Sequence, residues 1–126
     1  MNRIINGIIL VSFMVLVSCS MYKFVEGSVL KSWTVKPGEV AVLKSSKSKI
    51  YRFQIINNSY EDNDLTVKNA DGTFIRQIAR HDTAEVKAAL NGIRIENIGQ
   101  KDAIFTLCVF LNRESFKMPE VKKQKL

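Results

Sequence analysis

The chain has 126 residues, of which 46% are hydrophobic and 25% are charged, and its formal net charge is +7. This composition is that of one globular domain and excludes a disordered or collagen-like chain. With 2 cysteines, 1 histidine and 6 glycines, the chain also lacks the residues of a disulfide scaffold, a histidine-rich metal site or a glycine-rich phosphate loop.

The N-terminal segment predicts export from the cytoplasm. Arg3 is its one charged residue, and the chain is apolar from Ile4 to Val17 apart from a few small polar residues. An apolar stretch of about 14 residues is typical of a signal peptide. It is short for a spanning helix, which needs about 20 residues. Residues 1–18 are therefore predicted to be a signal peptide.

The residues Leu16-Val17-Ser18-Cys19 resemble the lipobox of bacterial lipoproteins. The resemblance implies cleavage before Cys19, a diacylglycerol on its thiol and an N-acyl chain, and no other cofactor is expected. Ser20 in place of aspartate implies the outer membrane of a Gram-negative host, with the membrane as a partner through the lipid anchor. The alternatives are cleavage after Ser20 by an ordinary signal peptidase and an uncleaved anchor.

The second cysteine, Cys108, lies in the apolar run AIFTLCVFL. If Cys19 is lipidated, Cys108 has no disulfide partner and is expected to be a buried, inert thiol. If Cys19 is not lipidated, a Cys19–Cys108 disulfide becomes an alternative.

After a tether at residues 19–28, short apolar runs alternate with turn residues. Tyr51, Phe53 and Ile55 alternate with polar residues, as in a strand with one buried face. Asp71-Gly72 predicts a hairpin turn, and the lysine-rich residues 45–49 predict another hairpin loop. Strands are predicted at Val29–Val35, Val40–Leu43, Ile50–Ile56, Leu65–Lys68, Thr73–Ala79, Gly92–Ile98 and Ala103–Leu111.

Residues 82–91 allow two interpretations. Asp82-Thr83-Ala84-Glu85 fits a helix capping box, whereas Ala84, Val86, Ala88 and Leu90 alternate as in a strand. The strand is favoured because strands flank the segment at the spacing typical of a sandwich. The predicted fold is all-β: a jelly-roll-like antiparallel β-sandwich of about eight strands at residues 29–112, followed by a basic C-terminal tail at 113–126.

The segments NDLTVKNADGTFI and AALNGIRIENIGQKDAIFTLCV resemble the second half of bacterial pre-peptidase C-terminal and carbohydrate-binding-module sandwiches. The resemblance covers a hairpin and the strand pair that follows it, and Ile93 or Arg94 stands where an aromatic residue is usual. It implies a β-sandwich fold.

No arrangement in the sequence predicts catalysis or a metal site. His81 and its neighbour Asp82 would point to opposite faces of a strand, so they form no local dyad. The acidic cluster of Glu61, Asp62 and Asp64 lacks the spacing of an EF-hand loop. We therefore expect no enzyme and no metal, and we interpret His81 and the acidic cluster as parts of solvated loops.

The aromatic residues divide into two groups. Those on apolar faces are expected in the core: Trp33, Tyr51, Phe53, Phe74, Phe105 and Phe110. Tyr22, Tyr60 and Phe116 lie among polar residues and are expected to be exposed. Sugar-binding sandwiches combine an exposed aromatic ring with nearby amides, and Tyr60 beside Asn57 and Asn58 fits that pattern.

The basic residues are concentrated in two segments. Lys44, Lys47 and Lys49 crowd one loop, and the tail adds Lys117, Lys122, Lys123 and Lys125. Without Arg3 the net charge of +7 falls by one to +6, and these lysines less Glu120 account for all of it. Such a surface suits anionic headgroups or acidic partners; the alternative is a disordered, solubilising tail. Outside the cytoplasm no nucleic acid is expected.

Two functions follow from these patterns. The first is a periplasmic lipoprotein that acts as a non-enzymatic accessory subunit of an envelope assembly, with an envelope protein as its partner. The second is a module that binds glycan, peptidoglycan or another polysaccharide. The residues assigned to binding are Lys44, Lys47, Lys49, Tyr60, Lys122, Lys123 and Lys125, with Cys19 as the lipidation site.

Overall fold

The computed structural model describes residues 24–126, in which every regular element is a β-strand. Among these residues, no helix is long and apolar enough to cross a membrane. The all-β prediction is confirmed, and residues 82–91 contain a strand rather than a helix. The strands are β1 (Phe24–Val35), β2 (Glu39–Lys44), β3 (Ile50–Asn57), β4 (Leu65–Lys68), β5 (Phe74–Ile78), β6 (Thr83–Ala89), β7 (Arg94–Glu96), β8 (Ala103–Ser115) and β9 (Glu120–Lys125).

The strands form two antiparallel sheets. One has the order β1-β8-β3-β6 and the other β5-β4-β7-β2-β9, so the predicted antiparallel sandwich is confirmed. Asp71-Gly72 turns the hairpin between β4 and β5 as predicted, with Gly72 at a φ of 88°. The hairpin predicted at residues 45–49 is wrong, because β2 and β3 belong to different sheets and the loop crosses between them.

The core lies between the two sheets and is apolar throughout. Phe53 and Ile55 of β3 are completely buried, as the alternation predicted, and so are Phe105, Leu107 and Val109 of the apolar strand β8. Each large side chain buried in this way stabilises the fold by about 1.5–3 kcal/mol relative to exposure. The inward face of each central strand therefore holds the sandwich together.

Three aromatic residues differ from their predicted positions. Phe74 was expected in the core, but it is 59% exposed on the edge strand β5. Phe116 was expected at the surface, but it is buried edge-to-face against Tyr51, with ring centroids 5.3 Å apart. Phe110 is half-buried on the outer face of β8, where the Arg52 guanidinium lies 5.0 Å from its ring centroid. Alternation within a strand does not show which strands lie at an edge.

Both ends of the predicted domain extend further than expected. The strand β1 begins at Phe24, so the second half of the predicted tether is part of the sheet. The predicted tail at 113–126 contains the end of β8 and all of β9, which pairs with β2 from Glu39↔Lys125 to Lys44↔Glu120. The last backbone N–H, of Leu126, donates to Gly38 O at 2.9 Å. Lys122, Lys123 and Lys125 of the tail therefore belong to an edge strand, where positive charge discourages pairing with other chains.

Four buried polar residues, the asparagine network, close one end of the sandwich: Asn57, Ser59, Asn63 and Asn97. The Asn97 amide donates to Val35 O and to Lys101 O, both at 2.8 Å, and Asn63 Nδ2 donates to Asn97 Oδ1 at 3.2 Å. The Asn57 amide donates to Asn63 O at 2.7 Å and to Ile78 O at 3.0 Å. Asn57 is completely buried, so its predicted place in an exposed sugar site is wrong.

The Cys108 thiol is expected to resist alkylation in the folded protein. Cys108 is buried on the outer side of β8, and burial raises the pKa of its thiol. A raised pKa leaves less of the reactive thiolate at neutral pH. We expect iodoacetamide to label Cys108 at pH 8 at least ten times faster in 6 M guanidinium than in buffer, as followed by intact mass. Equal rates in the two conditions would contradict the buried position.

Several predictions concern residues 1–23, which lie outside the described residues. They are the signal peptide, the lipobox Leu16–Cys19, lipidation of Cys19 and the exposure of Tyr22. The Cys19–Cys108 disulfide is likewise a prediction that the described residues do not test.

Candidate functional site

An open depression of about 370 Å³ brings together lysines from both basic segments. It lies where β2 ends at Lys44, whereas the asparagine network lies at the other end of β2, where Asn97 N donates to Glu39 O. We call this depression the basic cleft. It is lined by Lys44, Ser45, Ser46, Lys47, Tyr51, Asn91, Phe116, Lys117, Met118, Pro119 and Glu120.

The loop that crosses between the sheets builds one wall of the basic cleft. Ser45 N donates to Asn91 Oδ1 at 3.0 Å, which ties this loop to the turn after β6. Lys47 N donates to Ser45 Oγ at 3.3 Å within the loop. The opposite wall is the connection from β8 to β9, which is anchored by buried Phe116 and Pro119. Two separately anchored segments therefore face each other across the cleft.

The basic cleft carries an excess of positive charge. Lys44, Lys47 and Lys117 line it, and Glu120 is the single carboxylate among the lining residues. Of the salt bridges formed within residues 24–126, none includes these three lysines. By contrast, Lys68 pairs with Glu96 at 3.1 Å and Lys101 with Glu61 at 2.9 Å. The cleft thus offers ammonium donors to an anion that comes from outside.

The remaining predicted binding residues lie elsewhere. The Lys49 ammonium lies 5.3 Å from the Tyr51 ring centroid, in cation–π contact beside the cleft. Lys122, Lys123 and Lys125 lie along β9 and do not line the cleft. Tyr60 is 81% exposed and borders a different, shallow depression of about 440 Å³. The structure therefore separates Tyr60 from the lysines.

Asn91, Tyr51 and Phe116 line the cleft, although nothing in the sequence pattern indicated a binding role for them. Lys117 was noted only as part of the basic tail. No local pattern could have found this group, because its members come from distant parts of the chain and meet only through the pairing of the strands.

The predicted loops hold no constellation for catalysis or metal binding. His81 is exposed in the turn between β5 and β6, where its φ is 69°. In the acidic loop, Glu61 pairs with Lys101 and the Asp62 carboxylate lies 3.9 Å from Arg80. Among the side chains that the structure describes, at residues 27–112 and 115–126, no three histidine, cysteine or acidic groups come close enough together to hold a metal ion.

No family model matches the sequence, and no curated protein matches it. Solved structures do resemble it. A Cupin_2 domain of an XRE family transcriptional regulator from Enterobacter cloacae has a TM-score of 0.51 at 15% identity, over 70% of this chain and 100% of that domain. An uncharacterized protein with a double-stranded β-helix domain from Klebsiella pneumoniae has a TM-score of 0.52 at 19% identity, over 77% of this chain and 78% of that one. The fold is that of a double-stranded β-helix.

Oxalate decarboxylase from Bacillus subtilis also matches, with a TM-score of 0.46 at 20% identity. The match covers 80% of this chain but only 24% of that enzyme, and it is too weak to support an inference about activity.

These findings correct the predicted identity. The similar structures are cupin and double-stranded β-helix domains, so the resemblance to pre-peptidase C-terminal and carbohydrate-binding-module sandwiches is wrong. Turn spacing and alternation are shared by many sandwiches and do not distinguish among them. The same structures contradict the predicted function, which was an envelope lipoprotein subunit or a glycan-binding module. The outer-membrane location and the acyl chains on Cys19 stay predictions, because the described residues do not test them.

Cupin domains often bind a metal, and the space between the sheets here can be tested for such a site. Completely buried Phe53, Ile55, Phe105, Leu107 and Ile95 occupy it. Metal ions in proteins are held by imidazole, thiolate or carboxylate groups, whereas the side chains that fill this space are aromatic and aliphatic. The residues present do not fit a metal centre, and we derive no step through one.

Proposed function

We propose that the described domain binds a small anion in the basic cleft and does so without catalysing a reaction. The observation that carries this proposal is the convergence of Lys44, Lys47 and Lys117 on one depression, where Glu120 is the one carboxylate among the described lining residues. Ligands with a phosphate or several carboxylates would match this charge.

The chemistry of the lining supports a polar head and an apolar body in the ligand. Ammonium groups and Ser46 stand at the rim as donors, while Phe116, Met118 and Pro119 supply apolar surface. A hydrogen bond to a charged group stabilises by about 1.5–3 kcal/mol, and solvent screening reduces this at an open site. We therefore expect micromolar to millimolar affinity that weakens as salt is added.

The residue types that line the cleft also support a role without catalysis. It contains no histidine or cysteine, and Ser45 Oγ already accepts the Lys47 N–H. Acid–base or nucleophilic catalysis would need a base placed beside a nucleophile. The similar Enterobacter domain is part of a transcriptional regulator, which is consistent with use of this fold for binding rather than turnover.

Removal of two cleft lysines is expected to weaken anion binding at least tenfold. The variant Lys47→Ala/Lys117→Ala loses one ammonium from each wall, and tenfold corresponds to about 1.4 kcal/mol. Isothermal titration of the full chain with pyrophosphate, at 20 and 200 mM NaCl, measures the effect.

A matched control is Lys87→Ala, which removes one exposed lysine from β6, a strand of the other sheet. We expect its affinity to equal that of the unmodified chain. If pyrophosphate, phosphate and citrate all fail to bind at 20 mM NaCl, or if the double variant binds as tightly as Lys87→Ala, the proposed function is wrong.

A further inference from the structure

We infer that an anion in the basic cleft holds strand β9 on the sheet, so that ligand binding controls the pairing of β9 with β2. This inference rests on the proposed function and adds a regulatory consequence to it. The evidence is the position of the cleft, the weak anchoring of β9 and the charges that the two share.

The cleft lies at the end of the sheet where the pairing of β9 with β2 begins. Lys44, the last residue of β2, pairs with Glu120, the first residue of β9. Both residues line the cleft, and so do Met118 and Pro119, which lead directly into β9. An anion that contacts Lys44 or Lys47 on one side and Lys117 on the other would therefore bridge the main domain to the segment that carries β9.

Few side chains anchor β9. Val121 is half-buried against the core, whereas the other five residues of β9 are exposed. The strand beneath is different: Val40, Ala41 and Leu43 of β2 are completely buried. Segments with few buried apolar contacts open at the lowest free energies, so β9 is the strand that we expect to separate first.

Repulsion between like charges also favours the separation of β9 from β2. Lys44, Lys47 and Lys117 surround the cleft, and Lys122, Lys123 and Lys125 follow along β9. Of the salt bridges within residues 24–126, none includes a lysine of either group. A bound anion would offset this repulsion at the position where β9 begins to pair with β2.

The size of the expected effect follows from the thermodynamic linkage between anion binding and the separation of β9 from β2. If separation of β9 removes one wall of the cleft and abolishes binding, ligand at a free concentration [L] lowers the opening equilibrium by a factor of 1 + [L]/Kd. At 100 times the Kd this factor is about 100. The same coupling acts in reverse, so loss of β9 pairing weakens anion binding by an equal factor.

Hydrogen–deuterium exchange of the full chain, with and without pyrophosphate at 100 times its measured Kd, tests the inference. We expect amides at residues 121–126 to exchange up to about 100-fold more slowly with ligand, and those of the β4–β5 hairpin at 65–78 to change less than twofold. Lys87→Ala should show the same protection. Because its Kd is expected to be at least tenfold higher, Lys47→Ala/Lys117→Ala should show about 11-fold protection or less at the same pyrophosphate concentration.

The outcomes separate the two proposals. Absence of binding overturns the proposed function and this inference with it. Binding without added protection at 121–126 overturns only the inference, as does equal protection of the 65–78 hairpin, which would indicate global stabilisation.

Discussion

Replacement of Asn97 by alanine is expected to lower the free energy of unfolding by about 4 kcal/mol, because each buried polar group left unpaired costs about 1–3 kcal/mol. The Asn97 side chain is completely buried and makes four hydrogen bonds. Its Nδ2 donates to Val35 O and Lys101 O, and its Oδ1 accepts from Asn63 Nδ2 and from Gly99 N at 2.9 Å. Alanine would remove the hydrogen bonds of Asn97 to Val35 O and Gly99 N, whereas Lys101 O and Asn63 Nδ2 would keep the bond they make to each other.

Urea unfolding followed by Trp33 fluorescence measures this loss. Asn58→Ala is the matched control, since Asn58 is exposed and its amide makes one part-buried hydrogen bond, to Thr106 Oγ1. We expect this control to cost about 1 kcal/mol or less. Equal unfolding midpoints for the two variants would show that the buried network contributes no more than a surface contact.

Gly99→Ala is expected to destabilise the protein by about 3 kcal/mol through a steric clash. A Cβ atom at position 99 would lie 1.7 Å from Asn63 Oδ1. Asn63 cannot easily move away, because its Nδ2 donates to Lys101 O at 2.6 Å and to Asn97 Oδ1 at 3.2 Å. The loop or the network must therefore shift to accept the methyl group.

A double-mutant cycle identifies the cause of this loss. Asn63→Ala removes the oxygen that the new methyl group would meet, at the expense of the hydrogen bonds of Asn63. In that background we expect Gly99→Ala to cost less than about 1 kcal/mol, so the two changes should be strongly non-additive. Equal costs in both backgrounds would show that the strain arises in the backbone of residues 97–101.

Pattern analysis identified the strands because a strand with one buried face is a local property. Tyr51, Phe53 and Ile55 point inward wherever the strand is placed, and Leu65–Lys68 has the bounds that were predicted. Residues 82–91 contain a strand rather than a helix because of their neighbour in the sheet: β6 pairs with β3 from Ile50↔Ala89 to Ile56↔Thr83. That pairing satisfies its backbone hydrogen bonds in a way that an isolated helical turn could not.

The predictions that were wrong concern properties that depend on which strands and side chains meet in the fold. β9 is almost entirely polar, so nothing in its side chains predicts a strand; its pairing depends on the exposed edge of β2. Asn57 was expected at the surface because asparagine is usually exposed, yet here it supplies the hydrogen bonds that close one end of the sandwich. The family resemblance failed because it rested on features common to many sandwiches.

The all-β sandwich, its apolar interior and the surplus of lysines in two segments could all be predicted from the amino-acid sequence. These properties follow from composition and from the two-residue period of side chains along a strand. That Lys44, Lys47 and Lys117 line one cleft, and that residues 120–125 form an edge strand, follows only from how the strands pair. Strands that are distant in the sequence pair through backbone hydrogen bonds. Because these bonds do not involve the side chains, the sequence pattern does not show which side chains the pairing brings together.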